Sequence, residues 1–384
     1  MKKISLIGAG TAGAISMISL LKHKFDFQNW KRDYFDFQID WYFDPNIKSQ
    51  PVGEGTSLAV PGVLGSKLKM GWDDLAQFDS TAKTGSYYYN FGKTDFLHGF
   101  PLGLTGIHFN AIKFQKYALD RFGQNTKVKI IESNVTSHDQ IEGDYIIDCT
   151  GRPASFDNSD YIIPEYIAVN SVHVTQCYWD NSTFNHTKAI ARPYGWVFLV
   201  PLNNRCSVGY LYNNTFNKLD DIKEDVLNVF DEWSLVPSFD TNSFSFNNYY
   251  KDKIIDGRSV YNGNKAFFLE PMEATSIDSM LEIMEAWRDN QTNDKLHQWF
   301  KECEYIIMMH YAVGSKWNTS FWDFAQERGQ KCMEAYQKTN PDIAEYIRLG
   351  HSKYYHSNKQ NFIIGPWGLR SLKINLENLG FING

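Results

Sequence analysis

Two short stretches carry residue types whose spacing suits chemistry. The first is Phe268-Leu269-Glu270-Pro271-Met272-Glu273-Ala274-Thr275-Ser276. The apolar run Ala266-Phe267-Phe268-Leu269 predicts a strand, Pro271 breaks it, and a helix is predicted to begin near Thr275. A strand-to-helix turn aims unpaired backbone N–H groups outward, which suits an anion or an electron-rich cofactor. Glu273 places a carboxylate in that turn, where it can take a proton. The plainer alternative is a buried carboxylate that satisfies the turn's own amides.

The second stretch is Ile4-Ser5-Leu6-Ile7-Gly8-Ala9-Gly10-Thr11-Ala12-Gly13, a G-x-G-x-x-G directly after a predicted strand and before the helical apolar stripe of Ala14–Leu21. Gly8 permits the tight turn, Gly10 lets the backbone approach a pyrophosphate, and Gly13 lets helix and strand pack closely. Gly8, Gly10, Thr11, Ala12 and Gly13 are therefore the candidate cofactor-binding residues. The acid that grips a ribose is expected about 20 residues further on. The best second strand is Phe37–Asp44, so Asp44 is the candidate and an insertion around Phe25–Phe35 is required.

These residues need a scaffold. The chain of 384 residues is long enough for two intertwined lobes. A buried strand, Asp144–Asp148, runs into the turn Cys149-Thr150-Gly151-Arg152 and is expected to return to the nucleotide-binding sheet. Segments 167–175, 187–192, 196–201 and 206–212 read as strands separated by turns without helices, hence antiparallel. Helical spacing marks 111–122, 219–233, 281–287, 294–311 and 321–338. The expected class is α/β: an FAD-binding, Rossmann-like domain of the p-hydroxybenzoate-hydroxylase type, with an inserted antiparallel sheet and a C-terminal helical region. Its parts are 1–160 (cofactor domain, first part), 161–255 (sheet on the substrate side), 256–290 (return segment with the Glu273 turn) and 291–384 (helical). A net charge of −6 without long basic runs argues against nucleic acid. No apolar run approaches about 18 residues, so no membrane span is expected. Five scattered cysteines without a C-x-x-C imply neither zinc nor a disulfide frame, and no metal is expected. A reducing cytoplasm is the expected compartment. Aromatic residues make up 16% of the chain, in keeping with large cores or aromatic-lined pockets.

Six motifs in order resemble those of flavin-dependent halogenases of the tryptophan-halogenase type: Gly8–Gly13, Pro51-Val52-Gly53-Glu54-Gly55-Thr56, Ala82-Lys83 before Tyr87-Tyr88-Tyr89, Asp148-Cys149-Thr150-Gly151-Arg152, Gly195-Trp196-Val197-Phe198-Leu199-Val200-Pro201, and Glu270–Ser276. The resemblance runs through about the first 280 residues, and a shortened, phage-encoded member would fit the length. It implies FAD used as FADH2, O2 and a halide ion, with a separate flavin reductase and a small aromatic substrate. Hypohalous acid would be guided by Lys83, on a short helix-like stretch, and Glu273 would accept the proton of the substituted ring. Thr275 and Ser276 would hold the halide through backbone amides. Trp196, Phe198 and Pro201 would form the barrier between flavin and substrate. An ordinary surface lysine at 83 and a plain sheet core at 196–198 are the bland alternatives.

Three departures matter. Phe198 stands where the family motif has a second tryptophan, Ala274 replaces a serine, and Ser276 replaces a glycine whose φ, if positive, serine adopts less readily. The missing length falls after Glu273, so the pocket above Lys83 and Glu273 is expected to be open, to accept phenols, indoles or larger heteroaromatics loosely, and to favour bromide and iodide. A flavin monooxygenase that transfers oxygen directly to an aromatic ring is the alternative. The residues neither require nor exclude a homo-oligomer.

Overall fold

The computed structural model describes residues 1–21, 35–47, 53–92, 94–153, 160–179, 183–355 and 363–382. The insertion expected around Phe25–Phe35, apart from Phe35 itself, and the motif residues Pro51 and Val52 lie outside the described residues.

Strands Val128–Glu132, Gln38–Phe43, Lys3–Ile7, Tyr145–Asp148 and Ser259–Tyr261 lie side by side, all parallel, with Ile255–Asp256 as an antiparallel edge. The central strands are covered on both faces: Ile4, Leu6 and Ile147 join the helix-side core, and Ile7 and Ile146 pack with Ile141 on the other. Helix Thr11–Ser19 follows the first strand at once, and helices Ala111–Phe122 and Thr275–Arg288 share its core through Phe114, Ala118, Ile277 and Met280. The strand expected at 144–148 does return to this sheet, next to Lys3–Ile7.

The second sheet has seven strands, ordered Val236–Ser245, Ser171–Tyr178, Arg205–Tyr212, Gly195–Pro201, Thr187–Arg192, Gly85–Tyr89 and Phe96–Gly99. The strands between 161 and 255 pair antiparallel within it, as expected, but the sheet extends beyond them. Two of its strands come from before residue 161, so the segment 161–255 holds only five of the seven. The sheet is also mixed, since Thr187–Arg192 runs parallel to Gly85–Tyr89. Strand Gly195–Pro201 is buried along its whole length. Its alternate residues Val197 and Leu199 face helix Leu219–Glu232, together with Val208, Tyr210, Val226 and Val229. Trp196, Phe198 and Val200 point the other way.

Lys83 is not on a helix-like stretch. Thr81–Lys83 is a strand in a small sheet with Gly106–Asn110 and Gly53–Gly55. The helical turns come earlier, at Trp72–Leu75 and Ala76–Phe78. Gly- and Pro-rich sequence also hides a helix, Ala59–Leu68. Pro61 sits in its first turn, where the missing N–H costs nothing, and Val60, Leu64 and Leu68 bury one face at four-residue spacing.

After Thr275–Arg288 the chain is mainly helical, with Asn293–Ala312, Ser320–Thr339, Pro341–Leu349 and Leu369–Leu379. These helices pack on the Trp196 face of the seven-stranded sheet through Tyr305, Tyr311, Trp322 and Leu372. A two-strand hairpin, Ile363–Ile364 with Trp367–Gly368, interrupts them. Among the described residues no helix is long and apolar enough to cross a membrane.

Candidate active site

One continuous cavity of about 1330 Å³ runs from the glycine loop of the parallel sheet to the inner face of the mixed sheet. Gly8, Gly10, Thr11, Ala12 and Asp44 line one end, and Lys83, Glu273, Ser276, Trp196 and Phe198 line the rest.

At the first end Gly8 and Gly13 have backbone too close to other atoms for a side chain. Gly8 has φ +93°, and a Cβ there would meet the Cys149 carbonyl oxygen at 2.3 Å. A Cβ on Gly13 would meet the Gly8 carbonyl oxygen at 2.1 Å, so helix and strand touch backbone to backbone. At Gly10 a Cβ would meet no protein atom within 4 Å. The room that Gly10 leaves thus belongs to the cavity. Helix Thr11–Ser19 starts there without a side-chain cap, so its first N–H groups remain for a ligand. Asp44 ends the second strand on the cavity wall, its Oδ1 accepting the Asn46 backbone N–H at 2.8 Å. A bare helix start, an open Cβ position and an acid at the second strand's end together fit a dinucleotide such as FAD.

Glu54 was not singled out as a site residue. It is half-buried, accepts the Thr11 hydroxyl at 2.7 Å, and desolvation pushes its carboxyl up to about 7. It ties the Gly53–Gly55 strand to the fingerprint helix.

At the other end Lys83 is 3% exposed. Burial pushes its ammonium down to about 8 against the pull of the carboxylates of Glu273 and Asp278. Nζ lies 5.8 Å from the Phe100 ring centre and 3.5 Å from where a Gly55 side chain would begin. A surface lysine would show neither the burial nor the shift. The Thr81 hydroxyl donates to the Pro201 carbonyl at 2.7 Å, fastening the lysine's strand to the mixed sheet. Pro201 itself does not line the cavity, whereas Trp196 and Phe198 do. Gly209, opposite Phe198, makes room for its ring: a Cβ there would meet Phe198 Cζ at 2.2 Å.

The turn before helix Thr275–Arg288 carries the strain. Glu273 and Ala274 have φ of +62° and +53°, a left-handed pair that L-residues adopt only when their surroundings hold them. Positive φ therefore falls there and not at Ser276, which is helical, so the glycine-to-serine change costs no backbone strain. The helix has no side-chain cap. Ser276 lines the cavity; Thr275 is buried behind it, its carbonyl accepting the Ser279 hydroxyl at 2.8 Å.

Glu273 is flanked on three sides by residues that sequence reading missed, of which Trp367 hydrogen-bonds it. His98 Nδ1 lies 3.4 Å from Oε2, His310 Nε2 lies 3.2 Å from Oε1, and Trp367 Nε1 donates to Oε2 at 3.2 Å. His98 is held neutral by burial, down to about 3. His310 stacks on Tyr88 at 4.3 Å. Next to them Asp278 accepts the Ser57 hydroxyl at 2.6 Å, and burial raises it to about 6. The C-terminal part thus reaches the site around Glu273. The side chains of Lys83 and Glu273 are both buried, and the hairpin folds back to set Trp367 on Glu273. No local signal marks a contact between residues this far apart in sequence.

The bare glycine loop, the parallel sheet and the mixed sheet with Lys83 and Glu273 on one cavity are the features of a dinucleotide-binding α/β fold. A tryptophan halogenase family profile matches residues 122–362, and the chain belongs to that family. The match extends past residue 280, where the resemblance was expected to stop. Tryptophan 7-halogenase RebH of Lentzea aerocolonigenes is 23% identical over 265 residues, 63% of this chain and 48% of that protein. The chain thus spans about half the length of the curated relatives it matches. Among solved structures, the tryptophan halogenase of Shewanella frigidimarina NCIMB 400 superposes with a TM-score of 0.79 at 18% identity, covering 100% of this chain and 90% of that one. Xcc4156, a flavin-dependent halogenase from Xanthomonas campestris, gives 0.78 at 16% identity, covering 99% and 89%.

Proposed function

We propose that the protein is an FADH2-dependent halogenase that places a halogen on an electron-rich aromatic ring. The observation that carries this reading is the pair Lys83 and Glu273, both buried, both on the cavity that begins at the glycine fingerprint. A direct oxygen-transferring flavoenzyme has no evident use for a desolvated lysine there.

Gly8–Gly13 would hold the FAD pyrophosphate and Asp44 the ribose. Bound reduced FAD would supply, with O2, the oxidising power that turns halide into hypohalous acid, and a separate reductase would supply the reduced flavin. The uncapped start of helix Thr275–Arg288, reached at Ser276, offers backbone N–H groups to the halide. Trp196 and Phe198 keep the aromatic substrate away from the flavin end. Lys83 donates hydrogen bonds to the hypohalous acid and presents its halogen; a group titrating near 8 can do so as ammonium at neutral pH. Glu273, flanked by His98 and His310, accepts the ring proton. Bromide and iodide are expected to outperform chloride, since they are more easily oxidised and Ala274 leaves only a methyl group at the turn.

The test is direct. Purified protein is given FAD, a flavin reductase, O2 and chloride, bromide or iodide in turn, with a panel of phenols and indoles, and products are read by mass spectrometry. Halogenated products that vanish without halide or without reduced flavin are expected. Saturable FAD binding with hydroxylated products and no halogenated ones would instead indicate oxygen transfer.

A further inference from the structure

We propose that Trp367 occupies the aromatic seat of this site and is itself a halogenation site; the inference rests on the halogenase reading above. The hairpin that carries it is pinned on both sides. Glu302 accepts the Gly365 backbone N–H at 2.6 Å, and Arg370 donates to the Gly99 carbonyl at 2.7 Å. Between these pins Trp367 is 4% exposed. Its ring meets His98 edge-on at 5.2 Å and His310 at 6.2 Å. Its Nε1–H is given to Glu273, the carboxylate assigned to take a ring proton. Indole is the most electron-rich ring among side chains, and its Cδ1 is bonded directly to the nitrogen that Glu273 holds. Lys83 belongs to the same chamber: it faces Phe100, which follows His98 and Gly99, and Glu273 acts on it electrostatically. An indole seated on the base, itself in electrostatic contact with Lys83, is the arrangement a substrate would need.

The step balances. An indole carbon bonds to the halogen of hypohalous acid, and the oxygen–halogen bond breaks with its electron pair going to oxygen. The ring is oxidised by two electrons as the halogen passes from +1 to −1. Glu273 takes the proton from the substituted carbon and passes it to the hydroxide, giving water. An external aromatic competes by displacing Trp367, so self-halogenation is largest when no substrate is present.

The chain's other tryptophans serve as internal controls. Trp196 lines the cavity directly, and Trp72 is 57% exposed. The protein is turned over with reduced FAD, O2 and bromide and no aromatic substrate, then peptide-mapped. One bromine replacing one hydrogen on Trp367, in about tenfold excess over any other tryptophan, is expected, and added phenol should suppress it. Bromine spread over Trp72 and Trp196, or none on Trp367 in a preparation that brominates the phenol, overturns the inference while leaving the halogenase reading intact. Failure of the phenol as well would sink both. Trp367→Phe keeps a packed ring and should lose the bromine signal at 367. A flavin-free test addresses the seat alone: free indole should raise the melting temperature of Trp367→Ala clearly more than that of the wild type, where it must first displace Trp367. An equal response in both overturns the claim that Trp367 fills an indole-shaped seat.

Discussion

The two ends of the cavity are built on different principles. The glycine end is made of backbone: a strand, a turn and a helix start within eleven consecutive residues, Lys3–Gly13, with ligand space created by leaving side chains out. The Lys83 end is made of side chains brought from five distant segments, around residues 57, 83, 98, 273–278 and 310, and closed by residue 367. Its charges are buried against their preference, with Lys83 pushed down to about 8 and Asp278 up to about 6. A backbone site tolerates change wherever the fold leaves room and fails where it does not. A site of buried charges fails chemically when one member is removed, even if the fold survives.

The largest separation of the two ends is expected from Lys83→Ala. Halogenation of a phenol or indole should fall below detection, while FAD binding, followed by flavin fluorescence, stays near wild type because Lys83 lies away from the glycine loop. Loss of both together would mean the two ends are not independent. Glu273→Gln comes next, with a rate lower by about 10²-fold or more from loss of the proton acceptor; retention of wild-type rates would remove Glu273 from the chemistry.

Two glycine variants sharpen the backbone end. Gly10→Ala should fold normally, since its Cβ meets open space, yet bind FAD about tenfold more weakly, a cost of about 1.4 kcal/mol. Gly8→Ala should lose about 1–3 kcal/mol of stability, because its Cβ meets the Cys149 carbonyl at 2.3 Å on a left-handed backbone. Denaturant titration beside flavin titration separates the two outcomes, and equal stability for both variants would undo the argument.

The smallest effect is on stability against pH. Burial raises Glu54 and Glu304 to about 7 and Glu270, whose carboxyl accepts the Tyr311 hydroxyl, to about 8. Between about pH 6.5 and 8 the folded state therefore holds more protons than the unfolded chain, so stability falls as pH rises. Below this window the neutral buried His98, His108 and His186 oppose the trend, because unfolding lets them bind protons. Above about 8 Lys83 opposes it as well, since the unfolded lysine keeps its proton longer. A fall in melting temperature of about 2–5 °C across the window is expected for the cofactor-free protein. Glu270→Gln should flatten it; an unchanged slope would show that Glu270 is ionised in the fold.

What the amino-acid sequence determined by itself was local. The Gly8–Gly13 turn, Asp44 at the end of its strand, the helix at 111–122 and the strand-break-helix order around Glu273 all follow from contacts within a few residues, and the structure places each on the cavity or beside it. Ordered motifs also named Lys83 and Glu273, although not the strand on which Lys83 sits. Tertiary structure decided the rest. It joined strands 85–89 and 96–99 to the mixed sheet, moved the left-handed pair to Glu273 and Ala274, surrounded Glu273 with His98 and His310, and closed the site with Trp367. These outcomes depend on desolvation and on pairings across tens to hundreds of residues. No short-range pattern encodes them, because the free energy that selects them exists only once the whole core has packed.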